Sequence, residues 1–133
     1  MTDRELVDLA VSMQEKAYCP YSGFPVGAAL EAEDGRIFTG CNVENAAYGE
    51  SICAERTALV KAVSEGARSF RRIAIAGNSE DCCWPCGACR QVLNEFSPDL
   101  TVLAANRRHE YVSVPLSALL PRSFGPHNLN EEE

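Results

Sequence analysis

Apolar positions in the first forty residues follow a helical period and then give way to strand-like runs. The first apolar residues recur at the spacing of one helix face: Leu6, Leu9, Ala10, Met13 and Ala17. This spacing predicts a first helix of about 14 residues, capped by Asp3. Residues 26–33 and 36–43 are strand-like runs on either side of Asp34-Gly35. Because that pair favours a type I′ turn, in which both central residues have positive φ, an antiparallel hairpin is predicted.

A second helix is predicted over residues 53–65, where apolar residues repeat with helical period until Gly66 ends the pattern. The later elements are predicted in this order: a strand at 73–76, a helix opened by Pro85-Cys86 and running through Phe96, strands at 100–105 and 111–114, and a helical turn at 115–119. This order predicts an α/β protein, a three-layer α/β/α sandwich on a mixed sheet. Helices that directly follow strands begin at one edge of such a sheet, where ligand sites collect.

Length and charge limit the possible partners. The chain has 133 residues and is predicted to form a single domain, residues 1–133, with 46% hydrophobic and 23% charged residues, as in ordinary globular proteins. The net charge of -7 repels polyanions, and the acidic run at 131–133 is typical of a solvated tail. The nearest candidates for a basic surface are Arg71-Arg72 and Arg107-Arg108. We therefore expect no nucleic acid polymer as a substrate.

The start of the chain and the cysteines indicate a compartment. Asp3, Arg4 and Glu5 stand where a signal peptide needs an apolar run, and no later segment has the ~20 apolar residues that span a bilayer. We therefore expect a cytoplasmic protein without a membrane partner. In a reducing compartment, seven cysteines, an odd number, indicate metal ligands and buried thiols rather than a disulfide framework.

Two cysteine motifs carry the candidate chemistry. Cys53-Ala54-Glu55 stands at one predicted helix start, and Cys86 and Cys89 stand at the next. Zinc binds thiolates readily, and a helix N-terminus stabilises their negative charge. Three protein ligands leave a fourth position for water, which is the catalytic arrangement of zinc. We expect one Zn²⁺ ion on these three cysteines.

Two other uses of the cysteines stay open. A closed structural zinc site would need a fourth ligand, but the spacing of the other cysteines and of the two histidines does not match a zinc ribbon or finger. A pair such as Cys86 and Cys89 also suits a redox site, although that function leaves Cys53 and Glu55 unexplained. The other four cysteines are expected to be buried or incidental thiols: Cys19, Cys41, Cys82 and Cys83.

Glu55 follows Cys53 by two residues, so its carboxylate can lie beside the metal without ligating it. A hydrolytic deaminase needs such a group. In these enzymes a zinc-bound hydroxide attacks the amidine carbon of the base, and a carboxylate carries the water proton to the ring nitrogen and then to the leaving ammonia. The alternative is a first-turn acid that only favours the helix dipole.

The wider motifs around these residues are specific. Residues 53–58 (Cys-Ala-Glu-Arg-Thr-Ala) and 85–91 (Pro-Cys-Gly-Ala-Cys-Arg-Gln) resemble the small homotetrameric cytidine deaminase family, in which three cysteines hold zinc. The similarity covers nearly the whole chain and includes four further stretches: 18–22, 24–30, 42–46 and 119–126. The resemblance implies hydrolytic deamination of cytidine and deoxycytidine to uridine and deoxyuridine in pyrimidine salvage.

The resemblance also assigns substrate contacts. Asn42 and Glu44 would hold the ribose 3′-hydroxyl, since an amide and a carboxylate can donate to and accept from a hydroxyl. Phe24 would pack on the pyrimidine, and the backbone N–H of Ala54 would bind the base carbonyl. Arg56 would donate hydrogen bonds to the thiolate sulfurs, which draws electron density from them and keeps the zinc-bound water acidic.

Other residues would act at the boundary between subunits or depart from the family pattern. In similar tetramers, residues that correspond to Ala46, Tyr48 and Phe124 enter the active site of a neighbouring subunit. Trp84 stands where the family usually has a small polar residue, and its carbonyl would lie near the leaving amine. Two rival functions remain, a deaminase of the cytosine nucleoside antibiotic blasticidin S and a non-enzymatic zinc module closed by a fourth cysteine.

Overall fold

A computed structural model describes residues 1–129, so the acidic run at 131–133 lies outside the described residues. The strands are β1 (Gly27–Ala32), β2 (Ile37–Cys41), β3 (Phe70–Ala76), β4 (Thr101–Ala105) and β5 (Tyr111–Pro115). The helices are α1 (Asp3–Met13), α2 (Ala54–Ser64), α3 (Gly87–Asn94) and α4 (Leu116–Leu119). Short 3₁₀ turns occupy Gln14–Lys16, Tyr48–Glu50 and Pro126–Asn128.

The five strands form one mixed sheet in the order β2-β1-β3-β4-β5. Only the β3–β4 pair is parallel among these strands, and α3 makes the crossover between them. The other pairs are antiparallel, including β1 and β2 on either side of the predicted hairpin turn. The mixed sheet predicted from the order of elements is confirmed.

Helices cover both faces of the sheet, and every residue of β1 is therefore buried. Ala28 and Leu30 face the cluster that contains α2 and α3 residues, and Ala29 faces the cluster formed with α1. These are the three layers that the sequence predicted. Across the described residues, none of the helices is both long and apolar enough to cross a membrane.

Two glycines let helices approach the sheet more closely than a side chain would permit. A Cβ atom at Gly40 in β2 would lie 2.5 Å from the carbonyl oxygen of Ala54 and 2.6 Å from the backbone nitrogen of Ala58. A Cβ atom at Gly27 in β1 would lie 2.0 Å from the carbonyl oxygen of Ala10. Gly40 therefore allows the short distance between α2 and the sheet, and Gly27 allows the short distance between α1 and the sheet.

Two local predictions were wrong in detail. Thr2, not Asp3, caps α1: its hydroxyl accepts the N–H of Glu5 at 3.1 Å, and the Glu5 carboxylate accepts the N–H of Thr2 at 2.8 Å. This reciprocal capping box requires a Ser or Thr three residues before a Glu. In the hairpin only Gly35 has positive φ, at 94°, so the turn is not type I′ although the hairpin itself forms.

Candidate active site

The three candidate thiols lie at the starts of two helices. Cys53 is the N-cap residue of α2, and Cys86 is the N-cap residue of α3, with Cys89 in the first turn of that helix. The first N–H groups of a helix have no intrahelical partner and carry partial positive charge. Both helix starts therefore favour negatively charged sulfur.

The sulfur atoms are close enough to share one ion. The Sγ atoms of Cys53, Cys86 and Cys89 all lie within 4.8 Å of one another, and those of Cys53 and Cys86 are 3.8 Å apart. Tetrahedral zinc with bonds of about 2.3 Å to sulfur needs separations of roughly this size. Among the residues that the structure describes, these three form the only cluster of metal-binding side chains, which leaves a fourth cysteine ligand without support.

The protonation of the thiols also favours a cation. A hydrogen bond from Cys89 is the main cause that lowers the pKa of Cys53 to about 6, and the same bond raises the pKa of Cys89. One thiolate thus forms readily, and its charge then opposes the loss of further protons. A divalent cation between the sulfurs removes that opposition, so the donor set fits zinc.

Glu55 is buried next to this cluster. Glu55 is 4% exposed, and burial raises the pKa of its carboxyl to about 7. The nearby charge of Cys53 acts in the same direction. A carboxyl group with a pKa near 7 can both take up and release a proton at neutral pH. Glu55 therefore has the surroundings of a proton carrier.

Arg56 is a half-buried cation beside the thiols. Its Nε atom is buried and has no hydrogen-bond partner among the described residues. Its positive charge contributes to lowering the pKa of Cys53, after the hydrogen bonds from the other two thiols. An unpartnered buried donor is costly, so this one is suited to a negatively charged acceptor close by.

A cavity of about 250 Å³ opens onto the thiols and Glu55. It is lined by Val26, Asn42, Glu44, Ser51, Ile52, Cys53, Ala54, Glu55, Cys83, Trp84 and Cys86. Ala54 is the first residue of α2, so its N–H is not used within the helix. The cavity combines apolar walls with a few polar groups, which is typical of a small-molecule site.

Asn42 and Glu44 line the cavity but also hold a loop in place. The side-chain amide of Asn42 donates to the carbonyl of Phe24 at 2.9 Å and accepts the N–H of Val26 at 2.9 Å. Glu44 Oε1 accepts the N–H groups of Tyr21 and Ser22. The hydrogen bond from the Ser22 side chain is the main cause that lowers the pKa of Glu44, and these two backbone N–H groups act in the same direction. Each side chain keeps hydrogen-bonding capacity that the loop does not use.

Four of the predicted substrate-binding residues do not line this cavity within one chain. Phe24 lies near Cys83, because a Cβ atom at Gly77 would be 3.2 Å from the Phe24 ring and 2.8 Å from the Cys83 side chain. Tyr48 lines a neighbouring cavity of about 300 Å³ with Glu44. Ala46 is exposed, and Phe124 is 58% exposed.

Sequence reasoning missed Cys83 and Ser22. Cys83, expected to be a buried or incidental thiol, lines the cavity, and burial raises its pKa to about 12. A thiol with that pKa stays protonated and forms a neutral wall. Ser22 donates its hydroxyl to Glu44, a contact between residues 22 positions apart that no local pattern reveals.

The α/β/α fold, with three thiols at two helix starts and a buried carboxylate beside them, defines a zinc-binding deaminase. The family model described as "Cytidine and deoxycytidylate deaminase zinc-binding region" matches residues 1–105. The chain belongs to the cytidine deaminase family.

Relatives agree over nearly the full length. A cytidine deaminase of Sporosarcina psychrophila is 46% identical over 131 residues, which cover 98% of this chain and 96% of that protein. A cytidine deaminase of Halalkalibacterium halodurans is 45% identical, covering 97% of this chain and 99% of that protein. The crystal structure of cytidine deaminase from Burkholderia pseudomallei superposes with a TM-score of 0.90 at 47% identity, covering 93% of this chain and all of that one. The predicted family and fold are confirmed.

Proposed function

We propose that this chain hydrolyses the exocyclic amine of cytidine and deoxycytidine, giving uridine or deoxyuridine and ammonia. The observation that carries the proposal is the buried Glu55 beside three clustered thiols, in a cavity of about 250 Å³. The relatives named cytidine deaminases support the choice of substrate. We further propose a cytoplasmic, single-domain enzyme of pyrimidine salvage.

Cys53, Cys86 and Cys89 would hold the zinc ion, with water in the fourth position. When bound, zinc supplies a Lewis acid that makes water a nucleophile at neutral pH. Glu55 takes a proton from the attacking water and gives it to the ring nitrogen of the base. It then takes the remaining proton from the new hydroxyl group on the ring carbon and gives it to the departing amine, so that ammonia leaves and the oxygen becomes the carbonyl of the product. Its burial and its pKa of about 7 suit both transfers.

Arg56 would balance the charge of the thiolates. Three thiolates exceed the charge of Zn²⁺ by one, and this excess weakens the attraction of the metal for electrons of its water. The buried, unpartnered Nε of Arg56 can donate a hydrogen bond to sulfur and so reduce that excess. Arg56 is thus a positioning and charge-tuning residue rather than a ligand.

The substrate contacts follow from the cavity walls. Asn42 and Glu44 would bind the ribose 3′-hydroxyl with the capacity that the loop leaves free. The N–H of Ala54 would bind the base carbonyl, and the carbonyl of Trp84 would accept from the leaving amine. Phe24, which lies near Cys83, would pack on the pyrimidine.

We propose a homotetramer in which neighbouring subunits complete each site with Ala46, Tyr48 and Phe124. Tyr48 is 74% exposed and Phe124 is 58% exposed in a single chain. Exposed aromatic side chains are typical of surfaces that a partner covers. Phe124 is anchored through its carbonyl, which accepts from Gln91 at 2.9 Å and from Asn94 at 3.2 Å.

A substrate panel tests the proposed function. Loss of cytosine absorbance is followed with cytidine, deoxycytidine, cytidine monophosphate and blasticidin S on protein whose zinc content has been measured. We expect turnover of the first two nucleosides and one zinc per chain. Turnover of blasticidin S alone would favour the related antibiotic deaminase. Four protected thiols per zinc with no turnover would favour a closed, non-enzymatic site.

A further inference from the structure

Ser22 connects Glu44, which lines the cavity, to the backbone of Phe24 through one hydroxyl group. Its Oγ donates a hydrogen bond to Glu44 Oε2 and accepts the backbone N–H of Phe24 at 3.0 Å. The backbone N–H groups of Tyr21 and Ser22 donate to Glu44 Oε1 at 3.0 and 3.1 Å. The same short loop therefore holds both oxygens of Glu44 and the backbone of Phe24.

These contacts leave the Glu44 carboxylate with a defined orientation. An ionised carboxylate can accept about four hydrogen bonds, and the loop supplies three donors. Glu44 lines both the cavity of about 250 Å³ and its neighbour of about 300 Å³, so the remaining capacity is available to a ligand between them. The only donor to Oε2 among the described residues is the hydroxyl of Ser22.

We propose that Ser22 is a positioning residue for recognition of the sugar hydroxyl. Its hydrogen bond to Glu44 orients the carboxylate that accepts from the sugar hydroxyl. Its hydrogen bond from the N–H of Phe24 fixes the position of this carboxylate relative to the part of the site that receives the base. The inference rests on the proposed function, in which Glu44 contacts the sugar. Ser22 acts through another side chain and does not touch the reacting atoms.

The test compares two substrates that differ in one hydroxyl. With cytidine, Ser22→Ala should raise KM about tenfold and leave kcat within about twofold, because a charge-assisted hydrogen bond that supports ground-state and transition-state binding equally is lost. With 3′-deoxycytidine, which lacks the hydroxyl, the same substitution should change KM less than about twofold. The dependence on substrate distinguishes positioning from a general loss of structure.

Three further variants complete the experiment. Ser22→Thr keeps the hydroxyl and should restore the KM for cytidine. Ser22→Cys has a weaker donor and should fall between Ala and wild type, so it carries the test if the alanine variant does not fold. Ser12→Ala is the matched control, since the Ser12 hydroxyl donates to the carbonyl of Leu9 at 2.6 Å within α1, away from the cavity. It should behave as wild type with both substrates.

Several results would overturn the inference. One is an equal rise in KM for both substrates in Ser22→Ala. Others are a loss confined to kcat, or no rescue by Ser22→Thr. A wild-type enzyme that deaminates cytidine but does not discriminate against 3′-deoxycytidine would also overturn it and leave the proposed function intact. A wild-type protein that does not deaminate cytidine would instead contradict the proposed function.

Discussion

Glu44 and Glu55 are two carboxylates of one cavity with opposite surroundings. Burial raises the pKa of Glu55 to about 7, whereas hydrogen bonds, chiefly from Ser22, lower the pKa of Glu44. A carboxyl group near pKa 7 can carry protons, and one held ionised can only accept hydrogen bonds. The residue environment thus separates the two tasks of proton transfer and substrate binding.

Replacing Glu55 by Gln should lower kcat by about 10²–10⁴-fold and leave the zinc content unchanged, because the amide keeps the shape of the side chain but cannot carry a proton. Turnover and zinc content are measured on the same samples. Glu95→Gln is the control, since Glu95 is exposed at the C-terminal end of α3 and should keep wild-type turnover. A Glu55→Gln enzyme within threefold of wild-type kcat would contradict the proposed role.

At the scale of elements, the site depends on the distance between α2 and the sheet. α2 carries Cys53 at its start and Glu55 in its first turn, and it packs on β2 where Gly40 has no side chain. The thiols of α3 must meet that of α2 to within 4.8 Å. A small displacement of α2 would therefore separate Cys53 from its two partners.

Gly40→Ala should reduce both stability and activity. The added methyl group would contact the α2 backbone at 2.5–2.6 Å, and overpacking of this kind costs roughly 1–3 kcal/mol of unfolding free energy. The displaced helix should also weaken zinc binding and lower kcat. Gly27→Ala is the matched control, because its methyl group would push on α1, away from the thiols. Equal zinc affinity and kcat in the folded fractions of both variants would show that the distance between α2 and the sheet does not control the site.

At the scale of the whole molecule, two ion pairs of Arg72 connect the N-terminal helix to the sheet. Arg72 in β3 donates to Glu31 in β1 and to Asp3 in α1, each at 2.7 Å, and Glu31 is 7% exposed. The hydrogen bond from Arg72 is the largest cause that lowers the pKa of Glu31. The contribution of this contact to the free energy of unfolding is fully present above the ordinary glutamate pKa of about 4.3. It is lost as the pH falls through the lower pKa that Glu31 has in the folded protein.

Glu31→Gln should lower the free energy of unfolding by about 1.5–3 kcal/mol at pH 7, because a hydrogen bond between charged groups is replaced by a weaker one. The difference from wild type should shrink as the pH falls below about 4.3, where Glu31 becomes protonated in the unfolded chain and then in the folded one. Urea titrations at several pH values measure it. Glu33→Gln removes an exposed pair with Arg71 and should have little effect. A difference that does not depend on pH would contradict this account.

Subunit mixing tests whether sites are shared. Phe124→Ala and Glu55→Gln chains are each expected to be weakly active alone. If a neighbour supplies Phe124, mixed assemblies contain some sites with both native residues and should show more activity than the sum of the parents. Each variant unfolded and reassembled alone is the control. No gain in assemblies verified as mixed would mean that each chain builds its own site.

Several features of the fold and site were predictable because they depend on residues close in sequence. Helical spacing and Gly66 located α2, and Asp34-Gly35 located the hairpin. Two cysteine motifs at helix starts were sufficient to expect zinc. The family resemblance supplied the substrate contacts, which no local spacing contains.

Tertiary structure decided what requires distant segments to meet. Only the packing of α2 and α3 on one face of the sheet brings three thiols within 4.8 Å of one another, and only that packing buries Glu55 and raises its pKa. The contact of Ser22 with Glu44 and the wall formed by Cys83 have the same origin. Local sequence determines which elements form, since their hydrogen bonds and caps are local. Burial, charge and the distances between elements depend on the whole chain.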